Sequence, residues 1–205
     1  MKPRFNLCER LATDLLLDSP IYDFPFDLRH LNVKQDIMYD TIQNYAAITQ
    51  IDVSELQSEN NRDGFLVIYG DTYLVLYNEF CASRERVYWT NAHETGHALL
   101  KHRTDGDIQE VEAHFLAASL IMPDAIIYAL GERGIPITTD SLIRIFGVST
   151  DAAAKKMNTL ERLSWRPFQS IYRGEELLYK FWGFIERVSF TEMLNKRPFA
   201  WNSFI

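Results

Sequence analysis

The sequence His-Glu-Thr-Gly-His at residues 93–97 constrains this chain more than any other feature. It lies inside a segment, from about residue 84 to residue 102, whose pattern predicts a helix. At 3.6 residues per turn, His93 and His97 are about 40° apart around the axis, so both imidazoles can ligate one cation. Glu94 is about 100° from His93, so it can reach a water on that cation without being a ligand itself. In metal-dependent hydrolysis, imidazoles hold a Lewis acid that lowers the pKa of its bound water, and a carboxylate takes the proton.

A His-Glu-x-x-His sequence also arises by chance, roughly once per hundred chains of this composition. The surroundings favour the functional interpretation. Before the motif, residues 65–69 and 72–77 are rich in β-branched and aromatic side chains, and they flank the turn residues Gly70 and Asp71. This pattern predicts a tight antiparallel hairpin. A helix that follows a hairpin is the context that the motif requires, and we therefore expect a zinc site.

A catalytic zinc usually takes a third protein ligand and keeps one position open. The next predicted helix, from residue 106 to Pro123, offers acidic and histidine side chains. Glu112 lies on an apolar face, where a carboxylate is costly unless it is paired or bound to a cation. Glu110 lies on a face that we predict to be solvated. His114 competes with Glu112, but it is about 200° from Glu112 around the helix, so both are not expected to reach one metal. We predict Glu112 as the third ligand.

The remaining pattern predicts an α+β protein, because the strands are gathered early and the helices late. A hydrophobic fraction of 47% and a charged fraction of 24% are typical of a globular domain. Two cysteines, Cys8 and Cys81, cannot form a disulfide framework. Together with the lack of any long apolar run, this predicts a cytoplasmic protein without a membrane segment. Further helices are expected at 6–17, 124–132, 139–146, 150–163 and 174–188, with a mixed segment at 37–51 and a loop at 55–63.

Charge divides the chain near Pro136. The net charge of −7 combines an acidic first part, residues 1–136, with a mildly basic second part, residues 137–205. We predict a peptidase domain over the first part and a helical part, packed on it, over the second. Residues 137–166 have the rhythm of a helix-turn-helix, and Lys155, Lys156, Arg162 and Arg166 are its candidate phosphate contacts. The segment nets only +2, and three alanines at 152–154 stand where a helix that reads bases usually presents polar side chains. Nucleic-acid binding is therefore possible but not favoured.

Three segments resemble the ImmA/IrrE family of metallo-endopeptidases: residues 63–69 of the hairpin, the helix sequence at 89–102, and the sequence at 112–123 that ends in Met122-Pro123. Family members share a short hairpin, a His-Glu-x-Gly-His helix and a following helix that begins with Glu-Ala. The resemblance implies a small zincin-like fold. It also implies that His93, His97 and Glu112 bind Zn²⁺ and that Glu94 is the catalytic base.

The same resemblance implies a cytoplasmic zinc endopeptidase whose protein substrate is a helix-turn-helix transcriptional repressor, often encoded beside it on a mobile element. The alternative is a DNA-binding or antitoxin-like regulator with a structural or vestigial zinc motif. An intact Glu94 favours the peptidase, because a structural zinc site needs no general base. We interpret His102, which trails the motif, as a residue at the helix end that supports the site rather than a ligand. Gly96 is expected to allow close approach to the neighbouring helix or the hairpin.

Overall fold

The computed structural model describes residues 2–57, 62–81, 83–104, 106–162 and 167–196, and for residues 195 and 196 it describes the backbone. The fold is α+β, as predicted. Its elements in chain order are α1 (Phe5–Asp18), β1 (Asp36–Thr41), α2 (Ile42–Thr49), α3 (Val53–Leu56), β2 (Gly64–Tyr69), β3 (Thr72–Tyr77), α4 (Arg84–Leu100), α5 (Asp107–Ile121), α6 (Asp124–Glu132), α7 (Thr139–Phe146), α8 (Thr150–Arg162), α9 (Gly174–Lys180) and α10 (Trp182–Lys196).

The predicted hairpin is present, and a further strand joins it. β2 and β3 pair antiparallel across the turn at Gly70, whose φ of 60° explains the glycine. β1 pairs with β3 in parallel, from Asp36 opposite Thr72 to Thr41 opposite Tyr77, which gives the sheet order β1-β3-β2. The segment 37–51 was predicted as mixed helix or irregular chain, and it is instead β1 followed by α2. β2 therefore lies at an edge of the sheet, next to the helix that carries the motif.

Helix α4 is fixed at its start by a side-chain cap and at its end by a left-handed residue. Ser83 accepts a hydrogen bond from the backbone N–H of Arg86, as its position before the helix predicts. Lys101 has a φ of 56° and ends the helix. The helix packs on β2 and β3, and Tyr39 of β1 makes a 2.8 Å hydroxyl–hydroxyl hydrogen bond to Thr95. These contacts with the sheet fix the position of the motif helix.

Helix α5 lies between α4 and α1 and is largely buried. Its apolar residues join those of α6 in the main hydrophobic core, where Leu116, Leu120 and Ile126 are fully buried. That core also contains Phe146 and Ile185 from beyond residue 136, so the second part of the chain packs on the first. The predicted boundary near Pro136 itself stays a prediction.

The second part of the chain matches the predicted helices with one difference. The segment predicted as one helix from 174 to 188 is two, α9 and α10, with a break at Phe181. α7 and α8 are joined through Gly147, whose φ of 62° ends α7. Part of the loop predicted at 55–63 lies outside the described residues. Its first two residues, Glu55 and Leu56, instead belong to the short helix α3.

Within the described ranges, no single helix is both long enough and apolar enough to cross a bilayer. Helices α5 and α6 pass this test only when they are taken together, and they are bent by 44° at the break between them.

Candidate metal centre

Two helices bring three polar side chains to one point. The Nε2 atoms of His93 and His97, both on α4, lie 3.1 Å apart. The carboxylate of Glu110, on α5, faces them, with one oxygen 3.2 Å from Nε2 of His93 and the other 3.3 Å from Nε2 of His97. The predicted spacing of the histidines is thus realised on one face of α4, and the carboxylate that meets them is that of Glu110.

The environment keeps His97 and Glu110 in the protonation states of metal ligands. Burial, reinforced by His93, lowers the pKa of His97 from 6.5 to about 4, so its imidazole is neutral near pH 7. Hydrogen bonding to His93 is the main cause that lowers the pKa of Glu110 to about 2. Neutral imidazoles and an ionised carboxylate are the forms that bind divalent cations.

His114 lies at the margin of the same cluster. It is one helical turn after Glu110, and its ring centroid is 4.4 Å from that of His93. One nitrogen of His114, one of His93 and a carboxylate oxygen of Glu110 all lie within 4.8 Å of one another. Its Nδ1 is 3.1 Å from the backbone carbonyl oxygen of Glu110, which leaves Nε2 as the atom available to a ligand. Burial, His93 and Lys155 together lower the pKa of His114 to about 4.

Glu112 is not brought to the imidazole pair. Its side chain is only 2% exposed, and both of its oxygens accept hydrogen bonds from the guanidinium of Arg4, the shortest at 2.6 Å. The backbone N–H of Arg4 also donates to it, at 2.7 Å. Glu112 points to the start of α1, whereas Glu110 points into the cleft. The structure therefore brings Glu110, and not the predicted Glu112, to the imidazole pair.

His102 connects Glu112 to the metal centre. Its Nδ1 lies 3.2 Å from Nδ1 of His97, and its Nε2 lies 3.2 Å from a carboxylate oxygen of Glu112. The helical wheel places His102 on the far side of α4, but the helix ends at Leu100. The left-handed Lys101 then turns the chain back, so that the N–H of His102 donates to the carbonyl of His97. The expectation of a supporting role at the helix end fits this position.

A cleft of about 930 Å³ opens over the imidazole pair. Glu94 lines it beside His93, as the 100° offset predicts, and Glu110 lines its other side. One wall is the edge strand β2, through residues 64–66 and Ile68. The candidate ligands and the candidate base thus share one solvent-accessible cavity with an exposed strand edge.

Two glycines allow this close packing. A Cβ at Gly96 would lie 3.0 Å from the carbonyl oxygen of Ala113, so α4 and α5 approach each other where the motif lies. A Cβ at Gly64 would lie 2.6 Å from the carbonyl oxygen of Leu76 and 2.6 Å from Cγ2 of Thr90. The expectation for Gly96 is confirmed, because its neighbour is the second helix. The closeness of α4 and α5 lets Glu110 reach the histidines.

The donor set fits a divalent cation. Two imidazole nitrogen atoms and a carboxylate converge within about 3 Å, and such acceptors repel one another unless protons or a cation lie between them. His97 has its other nitrogen within hydrogen-bond distance of His102, as metal-ligating histidines usually do. His93, Glu110 and His97 thus offer three converging donor groups, the number of protein ligands that a catalytic site requires.

The predicted phosphate-contacting residues are not all exposed, as they would be on a helix that binds DNA. Lys156 is buried and lies 2.5 Å from a carboxylate oxygen of Asp124, while Ala152 and Ala153 are buried in the core. Lys155 and Arg162 are exposed on α8, and Arg166 lies outside the described residues. This face of α8 is therefore used mainly for packing.

A small sheet packed on a helix that carries His-Glu-x-x-His, with a carboxylate from the next helix, defines a metallopeptidase-like protein. Residues 47–158 match the sequence model of the peptidase M78 family, described as the IrrE N-terminal-like domain. The match covers more than half of the chain, which therefore belongs to this family, and the resemblance is confirmed. No curated protein matches the chain.

Proposed function

We propose that this protein is a zinc-dependent endopeptidase that cuts a helix-turn-helix transcriptional repressor. The observation that supports it most is the convergence of the Nε2 atoms of His93 and His97 with the carboxylate of Glu110 in a cleft that Glu94 also lines. A structural zinc site has four protein ligands and needs neither an open cleft nor a neighbouring base. Membership of a peptidase family supports the same class of reaction.

His93, His97 and Glu110 would hold the metal, and zinc suits a set of two imidazoles and one carboxylate. His97 then binds through Nε2 and keeps its proton on Nδ1, which donates to Nδ1 of His102. His102 in turn carries its proton on Nε2 and donates to Glu112. Glu112 thus orients one ligand through His102 and is not itself a ligand.

When bound, zinc supplies a Lewis acid that polarises a water molecule and the peptide carbonyl. Glu94 accepts a proton from the attacking water and delivers it to the nitrogen of the leaving amine. It has this role because its side chain lies in the cleft beside His93 without belonging to the cluster of converging ligand atoms. Burial lowers the pKa of His97 to about 4. This imidazole is therefore neutral near pH 7 and does not form an ion pair with Glu94 that would weaken it as a base.

The substrate would bind as an extended chain. β2 has only β3 as a partner within the described sheet, and its outer edge borders the cleft. Main-chain hydrogen bonds to this edge would align a peptide across the metal centre without regard to its sequence. The family resemblance supports a repressor as the substrate, and for such a substrate we expect the reaction to occur in the cytoplasm.

The regulator hypothesis has less support. A DNA-binding surface on α8 would need exposed cations, but Lys156 is engaged by Asp124 inside the protein. The net charge of −7 also opposes binding to a polyanion.

Co-expression with the product of the neighbouring reading frame tests the proposal. Wild type should produce two fragments that are recognisable by mass, and Glu94→Gln should produce them about 10²-fold more slowly with an unchanged zinc content. Glu132→Gln, on an exposed surface, is the matched control and should behave as wild type. Equal cleavage by Glu94→Gln would contradict the mechanism, and a salt-dependent mobility shift of DNA without cleavage would favour the regulator.

A further inference from the structure

A second groove, of about 470 Å³, adjoins the metal cleft. It runs between α5 and α8, and we refer to it as the α5–α8 groove. Trp89, Glu110 and His114 line both cavities, so the two adjoin at the candidate metal centre. A chain that passes over the imidazole pair and leaves by this side would therefore enter the groove.

The floor of the α5–α8 groove is apolar. Val111 is 43% exposed on α5, and Phe115 follows it one turn later. Phe5, which is 39% exposed, packs against Phe115 with a ring-centroid distance of 4.8 Å and tilted ring planes. An apolar floor that remains open to solvent beside a catalytic centre suits a substrate side chain of the same character.

The rim of the α5–α8 groove is basic. Lys155 and Arg162 are exposed, lie two turns apart on α8, and line the groove together. Neither has an ion pair with any residue in the described part of the chain. The acidic residues on the lining do not offset these cations, because Asp124 is paired with Lys156 and the charge of Glu110 would be neutralised by the metal that we propose it holds. The rim thus carries about two uncompensated positive charges on a chain whose net charge is −7.

We propose that the α5–α8 groove is a specificity site that binds the substrate segment next to the scissile bond. It selects an apolar side chain for the floor and a carboxylate, a few residues further from the bond, for Lys155 and Arg162. This inference rests on the proposed peptidase function and adds the class of sequence that is cut. A peptide suits the site better than a nucleic acid, because the apolar floor lies directly beside the centre where a peptide bond would be held. Among the described residues, only two unpaired cations, Lys155 and Arg162, border the groove.

Binding to the inactive protein tests the groove separately from catalysis. The probes are two fluorescein-labelled dodecapeptides with a central Phe, which carry either Glu or Lys at the second and third positions on both sides. Zinc-loaded Glu94→Gln should bind the Glu peptide at least about tenfold more tightly than the Lys peptide. Adding Lys155→Glu and Arg162→Glu to that variant should abolish or reverse the preference, whereas Lys34→Glu with Arg84→Glu, an equal charge change outside the groove, should preserve it.

The floor is tested by Val111→Ser, which should weaken binding of the Glu peptide about threefold to tenfold without changing the charge preference. Similar affinities for both peptides, no binding of either, or a preference that survives the charge reversal would overturn the proposal. Displacement of the Glu peptide by a 20-base-pair DNA duplex would also overturn it, in favour of a nucleic-acid site. Cleavage of reduced, carboxymethylated casein by wild type but not by Glu94→Gln reports on the peptidase function alone, so the two failures are distinguishable.

Discussion

The Nδ1 atoms of His97 and His102 lie 3.2 Å apart, so one of these rings must donate its proton to the other. His102 is held in turn by Glu112, and Glu112 by Arg4 at the start of α1. A residue far outside the motif is thus linked to Nδ1 of His97 through two buried side chains. The N-terminal segment, which precedes the region that matches the family, consequently contacts residues that support the candidate metal centre.

Substitution of His102 should weaken metal binding without removing it. His102→Ala leaves Nδ1 of His97 without its partner, and losses of such supporting contacts typically cost about 10–100-fold in metal affinity. His102→Gln, which can still accept a hydrogen bond, should restore part of the loss. Competition with a chromophoric chelator measures the affinity, and the spectrum of the cobalt-substituted protein should shift as the ligand reorients. His30→Gln, on the surface, is the control, and an unchanged cobalt spectrum in His102→Ala would contradict a positioning role.

The two glutamates of α5 should have unequal effects on zinc. Glu110→Gln removes a charged oxygen that faces both Nε2 atoms, and we expect it to lower zinc affinity by about 10³-fold, which corresponds to about 4 kcal/mol. Glu112→Gln acts only through His102 and should cost about 10–100-fold. Elemental analysis after dialysis against a weak chelator separates these cases. If Glu112→Gln loses the metal and Glu110→Gln retains it, Glu112 is the ligand after all.

The sequence predicted the hairpin, the motif helix and the face that the two histidines share, because each depends on local periodicity. It did not predict that Glu110 is the carboxylate that faces the two histidines. The argument for Glu112 was sound in requiring a partner for a buried carboxylate, but the partner is Arg4, 108 residues away. A long-range ion pair has no local signature in the sequence. The presence of His114 one turn after Glu110 was the available signal, since i,i+4 pairs face the same side of a helix.

Strand β1 and the position of His102 could not be predicted from local sequence patterns either. The residues of β1 are mostly half-buried, with no run of buried side chains to mark a strand. Its position depends on pairing with β3, which lies about 36 residues later in the chain. His102 faces His97 only because the left-handed Lys101 ends the helix early. A helical wheel that is extended past Leu100 therefore gives the wrong side.

Because the cleft wall is closely packed at Gly64, adding one methyl group there should lower the stability of the fold. Gly64→Ala would place a Cβ 2.6 Å from the carbonyl oxygen of Leu76, on a strand that cannot move without breaking the sheet. We expect it to lower the free energy of unfolding by about 1–3 kcal/mol. Gly183→Ala is the matched control, because no atom lies within 4 Å of its Cβ position, and it should raise stability by about 0.5–1 kcal/mol. Urea unfolding measures both, and equal midpoints for the two variants would contradict this account.

The metal-free protein should lose stability as the pH falls below neutrality. Burial lowers the pKa of both His97 and His114 from 6.5 to about 4. Between these values the unfolded chain binds protons that the folded chain does not, so the free energy of unfolding rises with pH and falls on acidification from about pH 6.5 to pH 4. Each histidine contributes a slope of at most about 1.4 kcal/mol per pH unit. Glu110 and Glu112, whose pKa values are lowered to about 2, add a further loss only below about pH 4.5.

Urea titrations in the presence of a chelator at pH 7.0, 6.0 and 5.0 measure this slope. His114→Gln removes one of the two depressed groups, so the decrease between pH 6.5 and pH 4.5 should become shallower by the contribution of about one proton. Saturating zinc should stabilise the folded chain at pH 7 and lose this effect on acidification, because protons compete for the same imidazole nitrogens. A midpoint that does not change between pH 7.0 and pH 5.0 in the metal-free protein would show that these imidazoles are not held neutral by burial.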